Sequence, residues 1–495
     1  MGQRRIQVAV PGRTANGARR ERTRRRAAVL LASALAMSGC STIGSLRQTF
    51  LGGQSGSEGP QRLTGFIGGA VADEGRAALA AREVLALGGT AADAAVALGF
   101  TLAVTLPSRA GLGGGGACLA YSPDRNGPGQ GSPEAIVFTP TAPSATLPNT
   151  DRPAAVPMLA RGLFALHARY GKQPFEGLIA PAEQLARFGV PVSRALLRDL
   201  APVAGPLAAD PNARAVFAPG GVPLAEGGTL LQNDLGGTLA QLRTAGVGDL
   251  YQGALARRME DASRVAGGGL TLADLRAALP RTGAPLVIRA GRDSVAFLPP
   301  PADGGLGAAA AFQALEANPN DVAGAQARAI GTVAQWRQSG GEALAALAAA
   351  SANGSLPTLP ASTGFAVLDR NGNSVACAVT MNNLFGTGRV APGTGILLAA
   401  SPRAVAPPLL SAAIAWNASV RGFRAAITGS GQEGAALAVA VGLTNALRST
   451  AAMPAMVPEP GRANAIACSR YLPDNEGSCS SAVDPRGTGL AVGSN

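Results

Sequence analysis

His167 is the only histidine among the 495 residues. That count excludes a Ser-His-Asp triad and a histidine-based metal site. The five cysteines contain no CxxC pair, so neither a metal nor a cofactor is expected. A nucleophile that works without histidine remains: an N-terminal Ser, Thr or Cys, freed by self-cleavage, uses its own α-amine as the base. Such a residue should open a strand after an exposed connector. In "AASANGSLPTLPASTGFAVLDRNGNSVACAVTMNN" the pair Ser362 and Thr363 stands at that boundary. Ser and Thr also open ordinary strands, so position alone leaves both readings standing.

The elements that must hold this pair alternate in type along the chain. "RAALAAREVLALGGTAADAAVALGFTLAVTL" has helical periodicity interrupted at Gly88-Gly89. "GLGGGGACLAYSP" is a glycine loop running into a strand. It lacks the Gly-Lys-Ser/Thr ending of a phosphate loop, and a strand follows where a dinucleotide fingerprint needs a helix. Its glycines therefore read as places where backbones approach too closely for a side chain. "AIVFTPTAP", "APLVIRAG" and "SVAFLPPP" read as strands, residues 155–280 and 305–350 as mainly helical. From Phe365 two strands flank "RNGN", a hairpin turn. A helix near 434–449 and a closing strand in "GLAVGSN" complete one layered α/β body without internal repeats.

Charge is concentrated at the start. The net charge is +12, and residues 1–26, with nine arginines and Glu21, carry +8 of it. The body is only mildly basic and has 4% aromatic residues, which argues against nucleic-acid binding. "RTRRRAAVLLASALAMSGC" is a basic segment, a short apolar run and small residues before Cys40. "MSGC" is similar to a bacterial lipobox, with Met37 in place of the usual Leu; a plain signal peptide is the simpler alternative. The expectation is a signal peptide over 1–39, a lipid on Cys40 and a Gly/Ser-rich tether over 40–60. The protein would then be periplasmic, held to the membrane by the lipid anchor only. Cys468 and Cys479, in "CSRYLPDNEGSC", are expected to form a disulfide in that oxidising setting. Cys118 and Cys377 lie among apolar neighbours and read as buried free thiols.

Longer words carry a family resemblance. "GGTAADAAVALGFTLAVTLPSRAGLGGGG", "AVPMLARGLFALHARYGKQPFEGLIAPAEQLARFGVPVS", "PLAEGGTLLQNDLGGTLAQL", "LYQGALA", "GGGLTLADL" and "FLPPPADGG" resemble, in order, the large subunit of gamma-glutamyltransferases. "GFAVLDRNGNSVACAVTMNNLFGTGRVAPGTGILL" and "DPRGTGLAVG" resemble the small subunit. The resemblance implies an α+β N-terminal-nucleophile hydrolase fold, a four-layer αββα sandwich. It also implies self-cleavage between Ala361 and Ser362 into a large-subunit-like region, 61–361, and a small-subunit-like region, 362–495. The implied reaction is transfer or hydrolysis of a γ-glutamyl group of a small-molecule amide.

Matched residue by residue, the resemblance makes Ser362 the nucleophile where the family has threonine, and Thr363 its second residue. Thr380 matches the threonine that supports the nucleophile, Asn382 an asparagine that contacts the substrate head group, and Ser411 the surviving one of two serines, preceded by Leu410. The oxyanion-hole glycines fall near Gln432 and Glu433, with Gly431 or Gly434 as one-step alternatives. Two charged clamps are missing. Thr139 stands where the family's carboxylate-binding arginine should be, and Arg403 falls near the expected acidic residue. Arg109, beside the glycine loop, is a candidate replacement; a surface arginine is the plainer reading. His167 and Asp93 read as structural. The altered clamps leave two alternatives open: the same fold acting on another amide, or a catalytically inactive envelope protein.

Overall fold

The computed structural model describes residues 62–350 and 361–493, together with Gly2 and Ala352. The expected signal peptide, Cys40 and the tether lie outside the described residues, as does most of the connector before Ala361. Residues Arg62–Asn495 form one compact unit.

Two antiparallel sheets form its centre. The first has seven strands in the order β13-β1-β7-β8-β2-β3-β4. These are β1 Gly68–Ala72, β2 Gly115–Tyr121, β3 Glu134–Phe138, β4 Arg281–Gly283, β7 Ser362–Asp369, β8 Ser374–Thr380 and β13 Leu490–Gly493. The second has six, in the order β12-β11-β10-β9-β6-β5. They are β5 Leu286–Ala290, β6 Asp293–Phe297, β9 Ser411–Asn417, β10 Gly422–Ser430, β11 Arg462–Leu472 and β12 Cys479–Val483. Each sheet takes strands from both sides of Ser362, so the two expected subunit regions share one core.

Alternation along the strands defines the layers. In β7, Ala366 and Leu368 join Ile414 and Ala426 of the second sheet in an apolar inter-sheet core. Phe365 and Val367, on the other face, pack with the helices α1 Gly75–Ala86 and α2 Ala91–Thr105. The outer face of the second sheet, through Ala413 and Ala425, packs against α3 Gly304–Ala317 and α4 Gly434–Arg448. This is the αββα sandwich that the resemblance implies. Its helix α2, apolar except for Asp93, Thr101 and Thr105, is buried along its whole length, which is why it lacks an amphipathic stripe. A reciprocal capping box between Thr90 and Asp93 starts it.

Asp93 also accepts from the Lys172 N–H at 2.9 Å, and the His167 ring lies 2.7 Å from the Gln173 carbonyl; both residues serve structure. The "RNGN" turn forms as expected, closed by the Asp369 N–H donating to the Asn373 carbonyl. The glycine loop is a close-approach device: a Cβ on Gly114 would meet the Thr380 carbonyl oxygen at 2.3 Å, and one on Gly116 the Ala378 oxygen at 2.3 Å. Among the described residues no helix is long and apolar enough to cross a membrane.

Cys468 and Cys479 are joined, as expected, across β11 and β12. Cys118 and Cys377 are not free thiols: they form a second disulfide. The antiparallel register of β2 and β8 places them directly opposite each other, a relationship that a sequence separation of 259 hides from local sequence.

Candidate active site

Ser362 is the first residue of β7 and is fully buried. Alternation turns its side chain to the same face as Gly364 and Ala366, toward the second sheet. Its Oγ has no hydrogen-bond partner among the described residues. A buried hydroxyl left without a partner costs stability, and Ser362 Oγ is one of several such atoms among the described residues.

The register of the hairpin places Thr380, the last residue of β8, beside Ser362. The Thr380 hydroxyl donates to the Ala361 carbonyl oxygen at 2.6 Å and accepts from the Asn382 N–H at 2.8 Å. The expected support of Ser362 Oγ by Thr380 therefore takes another form: the contact is to the carbonyl on which Ser362 would act. The carbonyl is the stronger acceptor while the Ala361–Ser362 peptide is intact. Asn382 takes a left-handed backbone, φ 61°, and its Nδ2 donates to the Ala400 carbonyl at 2.9 Å. It sits beside Thr380 but has one amide proton committed to the protein.

The facing sheet contributes hydroxyls that sequence reasoning did not single out. Thr428 lies over β7: a Cβ on Gly364 would meet its Oγ1 at 2.7 Å. Ser430, two residues on, shares that face of β10. Neither hydroxyl has a partner among the described residues. Beyond them Gly431, φ 94°, and Gln432, φ 53°, turn the chain into α4. The expected oxyanion residues thus stand at the end of the strand that covers Ser362, and Gln432 is buried there with Oε1 unpartnered among the described residues.

Ser411 is not brought to this face. It alternates with Ala412 and shares the outer face of the second sheet with Ala413, where a Cβ on Gly304, at the start of α3, would lie 2.5 Å from its Oγ. Arg109 is neither a surface residue nor a free clamp. Its guanidinium grips Asp199 with two bonds, of 2.7 and 2.6 Å, and Ser108 Oγ donates to the same carboxylate at 2.6 Å. Burial opposes the Arg109 charge, but Asp199 outweighs it and holds the group above its ordinary value. Arg403 is exposed, and Thr139 half-buried just after β3.

A small cavity of about 60 Å³ opens at the same end of the sandwich, lined by Asp73, Arg109, Arg198, Arg462, Asn464 and Asp484 among others. Asn464 and Arg462 are the β11 partners of Thr428 and Ser430. Asp73, directly after β1, accepts from Thr363 Oγ1 at 2.8 Å and from Asn464 Nδ2 at 2.9 Å.

A serine at a strand start, its preceding carbonyl held by a threonine, and two facing sheets fit the N-terminal-nucleophile hydrolase fold. The family model for gamma-glutamyltranspeptidase matches residues 77–346, more than half of the chain. The chain belongs to the gamma-glutamyltranspeptidase family. It is 29% identical over 372 residues to the glutathione hydrolase proenzyme of Escherichia coli K12, covering 64% of this chain and 63% of that protein. With the glutathione hydrolase proenzyme of Bacillus subtilis 168 it shares 31% over 242 residues, 45% of this chain and 40% of that one. The chain thus spans less than two thirds of the length of these curated relatives. Among solved structures, a cephalosporin acylase from Bacillus halodurans superposes with a TM-score of 0.71 at 18% identity, over 89% of this chain and 99% of that one. The fold shared with that acylase therefore extends over nearly the whole chain.

Proposed function

We propose that this gamma-glutamyltranspeptidase family member cleaves itself before Ser362 and then transfers or hydrolyses the acyl group of a small-molecule amide. The observation that carries the reading is the buried, unpartnered Ser362 hydroxyl beside a carbonyl already polarised by Thr380 at 2.6 Å. In the first step Ser362 Oγ gives up its proton and bonds to the Ala361 carbonyl carbon. The C–N bond to Ser362 breaks, and the nitrogen takes the proton. Water hydrolyses the resulting ester, leaving the Ala361 carboxylate and a free Ser362 α-amine. That amine then serves as the base when Oγ attacks a substrate amide. Water or an acceptor amine releases the acyl group. Thr380 holds the developing oxyanion of the first step.

A γ-glutamyl donor is the first substrate reading, since the matched relatives are named glutathione hydrolases. A different amide is the second. Thr139 is uncharged, Arg403 exposed and Arg109 bound to Asp199, so the two charges that should hold a zwitterionic head group are not supplied at the matched positions. The acylase named above, similar in fold, keeps that alternative in view. An oxidising, exported setting is supported by two disulfides among the described residues and by the arginine-rich start before Cys40. We read the protein as a periplasmic lipoprotein.

Mass spectrometry of the purified protein tests the reading. The expected result is a fragment starting at Ser362 in wild type and an intact chain in Ser362→Ala. An intact wild-type chain sinks it. Turnover of a γ-glutamyl anilide against other acyl anilides then separates the two substrate classes.

A further inference from the structure

The self-processing step leaves one carboxylate at the mouth of the sandwich unused. β1 pairs with β7 only as far as Ala72 opposite Phe365. Residues 362–364 therefore run past the end of β1 and lack a ladder partner on that side. The side chain of Asp73 stands there instead. Its Oδ2 accepts from Thr363 Oγ1 at 2.8 Å and from the Gly364 N–H at 3.4 Å. Its Oδ1 accepts from Asn464 Nδ2 at 2.9 Å, and the same amide donates to the Gly364 carbonyl at 2.9 Å. These donors are all neutral. The neighbouring cations are committed elsewhere: Arg109 to Asp199, Arg462 to Glu459 and Asp484, and Arg198 to the Arg486 carbonyl.

We propose that Asp73 is a positioning residue for the nucleophile, holding the first turn of β7 through Thr363 and Gly364. The inference rests on the self-processing reading above. Successive strand residues face opposite ways. Fixing the Thr363 hydroxyl and the Gly364 N–H on one carboxylate fixes the rotation of the strand start, and with it the inward aim of Ser362 Oγ. The need is greatest after cleavage. Ser362 is then a chain end, secured laterally only by its pairing with Thr380 on β8, and chain ends without such ties fray. Asp73 and Asn464 act as a substitute for the missing length of β1.

Three variants test this, read by the rate of fragment formation from freshly purified full-length chain and by Tm. Asp73→Asn keeps an oxygen for Asn464 but turns an amide toward the Gly364 N–H. Asp73→Ala removes every contact. Thr363→Val removes the hydroxyl from the other side. Loss of a hydrogen bond to a charged group predicts processing slowed about tenfold or more in all three, with Tm clearly lowered only in Asp73→Ala. Wild-type processing rates in Asp73→Asn would overturn the inference, because size and the Asn464 link alone would then suffice. Wild-type rates in Thr363→Val overturn it equally, and that variant decides if Asp73→Asn does not fold. A wild-type chain that never cleaves defeats the parent reading instead, which keeps the two failures apart.

Discussion

The Thr380 hydroxyl donates to the Ala361 carbonyl oxygen at 2.6 Å, and is itself oriented by the Asn382 N–H at 2.8 Å. The donor is thus already in place where negative charge would develop during attack by Ser362. Removing one such preorganised donor costs on the order of 100-fold in rate. Thr380→Ala should slow fragment formation by about that factor, while Thr380→Ser, which keeps the hydroxyl, should stay within about tenfold of wild type. A time course on denaturing gels, with both variants matched for Tm, measures it.

Cys118 and Cys377 are bonded across β2 and β8, and the Ala361–Ser362 peptide lies between them in sequence. Cutting that peptide would leave the two fragments covalently joined. The cleaved protein should run as one species on a non-reducing denaturing gel and as two after reduction, the smaller being residues 362–495. Cys377→Ser should release the small fragment without reductant. Two bands from unreduced wild type would contradict the bond.

Much of this was legible locally. The hairpin "GFAVLDRNGNSVACAVT" fixes β7 and β8 by alternation and its turn, and so brings Thr380 to Ser362. The glycine loop declares its close backbone contacts by composition. What was not legible is long-range register. Cys118 and Cys377 sit in apolar strands that read equally well as thiol-containing core, and only the pairing of β2 with β8 joins them. Asp73 and Asn464 are 391 residues apart and belong to no local motif. Arg109 looked available because its partner Asp199 lies on the helix Arg194–Leu200, 90 residues on. Ser411 was placed by family order, whereas the side a strand residue faces depends on a phase that one residue of offset reverses.

Asp484 makes a pH prediction. Burial pushes its carboxyl up, but hydrogen bonds and charge from Arg486 more than offset this and hold it below the ordinary carboxylate value. A depressed folded-state value stabilises the fold above the unfolded value, near 3.9, and that contribution is lost as pH falls through the folded one. Asp484→Asn should cost about 2 kcal/mol at pH 7, with the gap to wild type closing toward pH 3 and below. Paired thermal melts across that range check it; a gap that widens on acidification has the wrong sign.

Gly431 and Gln432 share a left-handed turn but should differ in their tolerance of substitution. A Cβ on Gly431 would sit 1.9 Å from the Pro460 carbonyl oxygen, at φ 94°. That contact is with backbone, so a rotamer change cannot relieve it. Gly431→Ala should therefore cost about 3 kcal/mol or more, displace the start of α4 and suppress fragment formation. Gln432, at φ 53°, already carries the penalty of a side chain in this region, roughly 1 kcal/mol. Its replacement by glycine removes that strain but adds freedom to the unfolded chain, so Gln432→Gly should leave stability within about 1 kcal/mol of wild type. Denaturant melts of the two variants, read beside their processing rates, decide between a turn that needs its glycine at 431 and one that tolerates a side chain at either position.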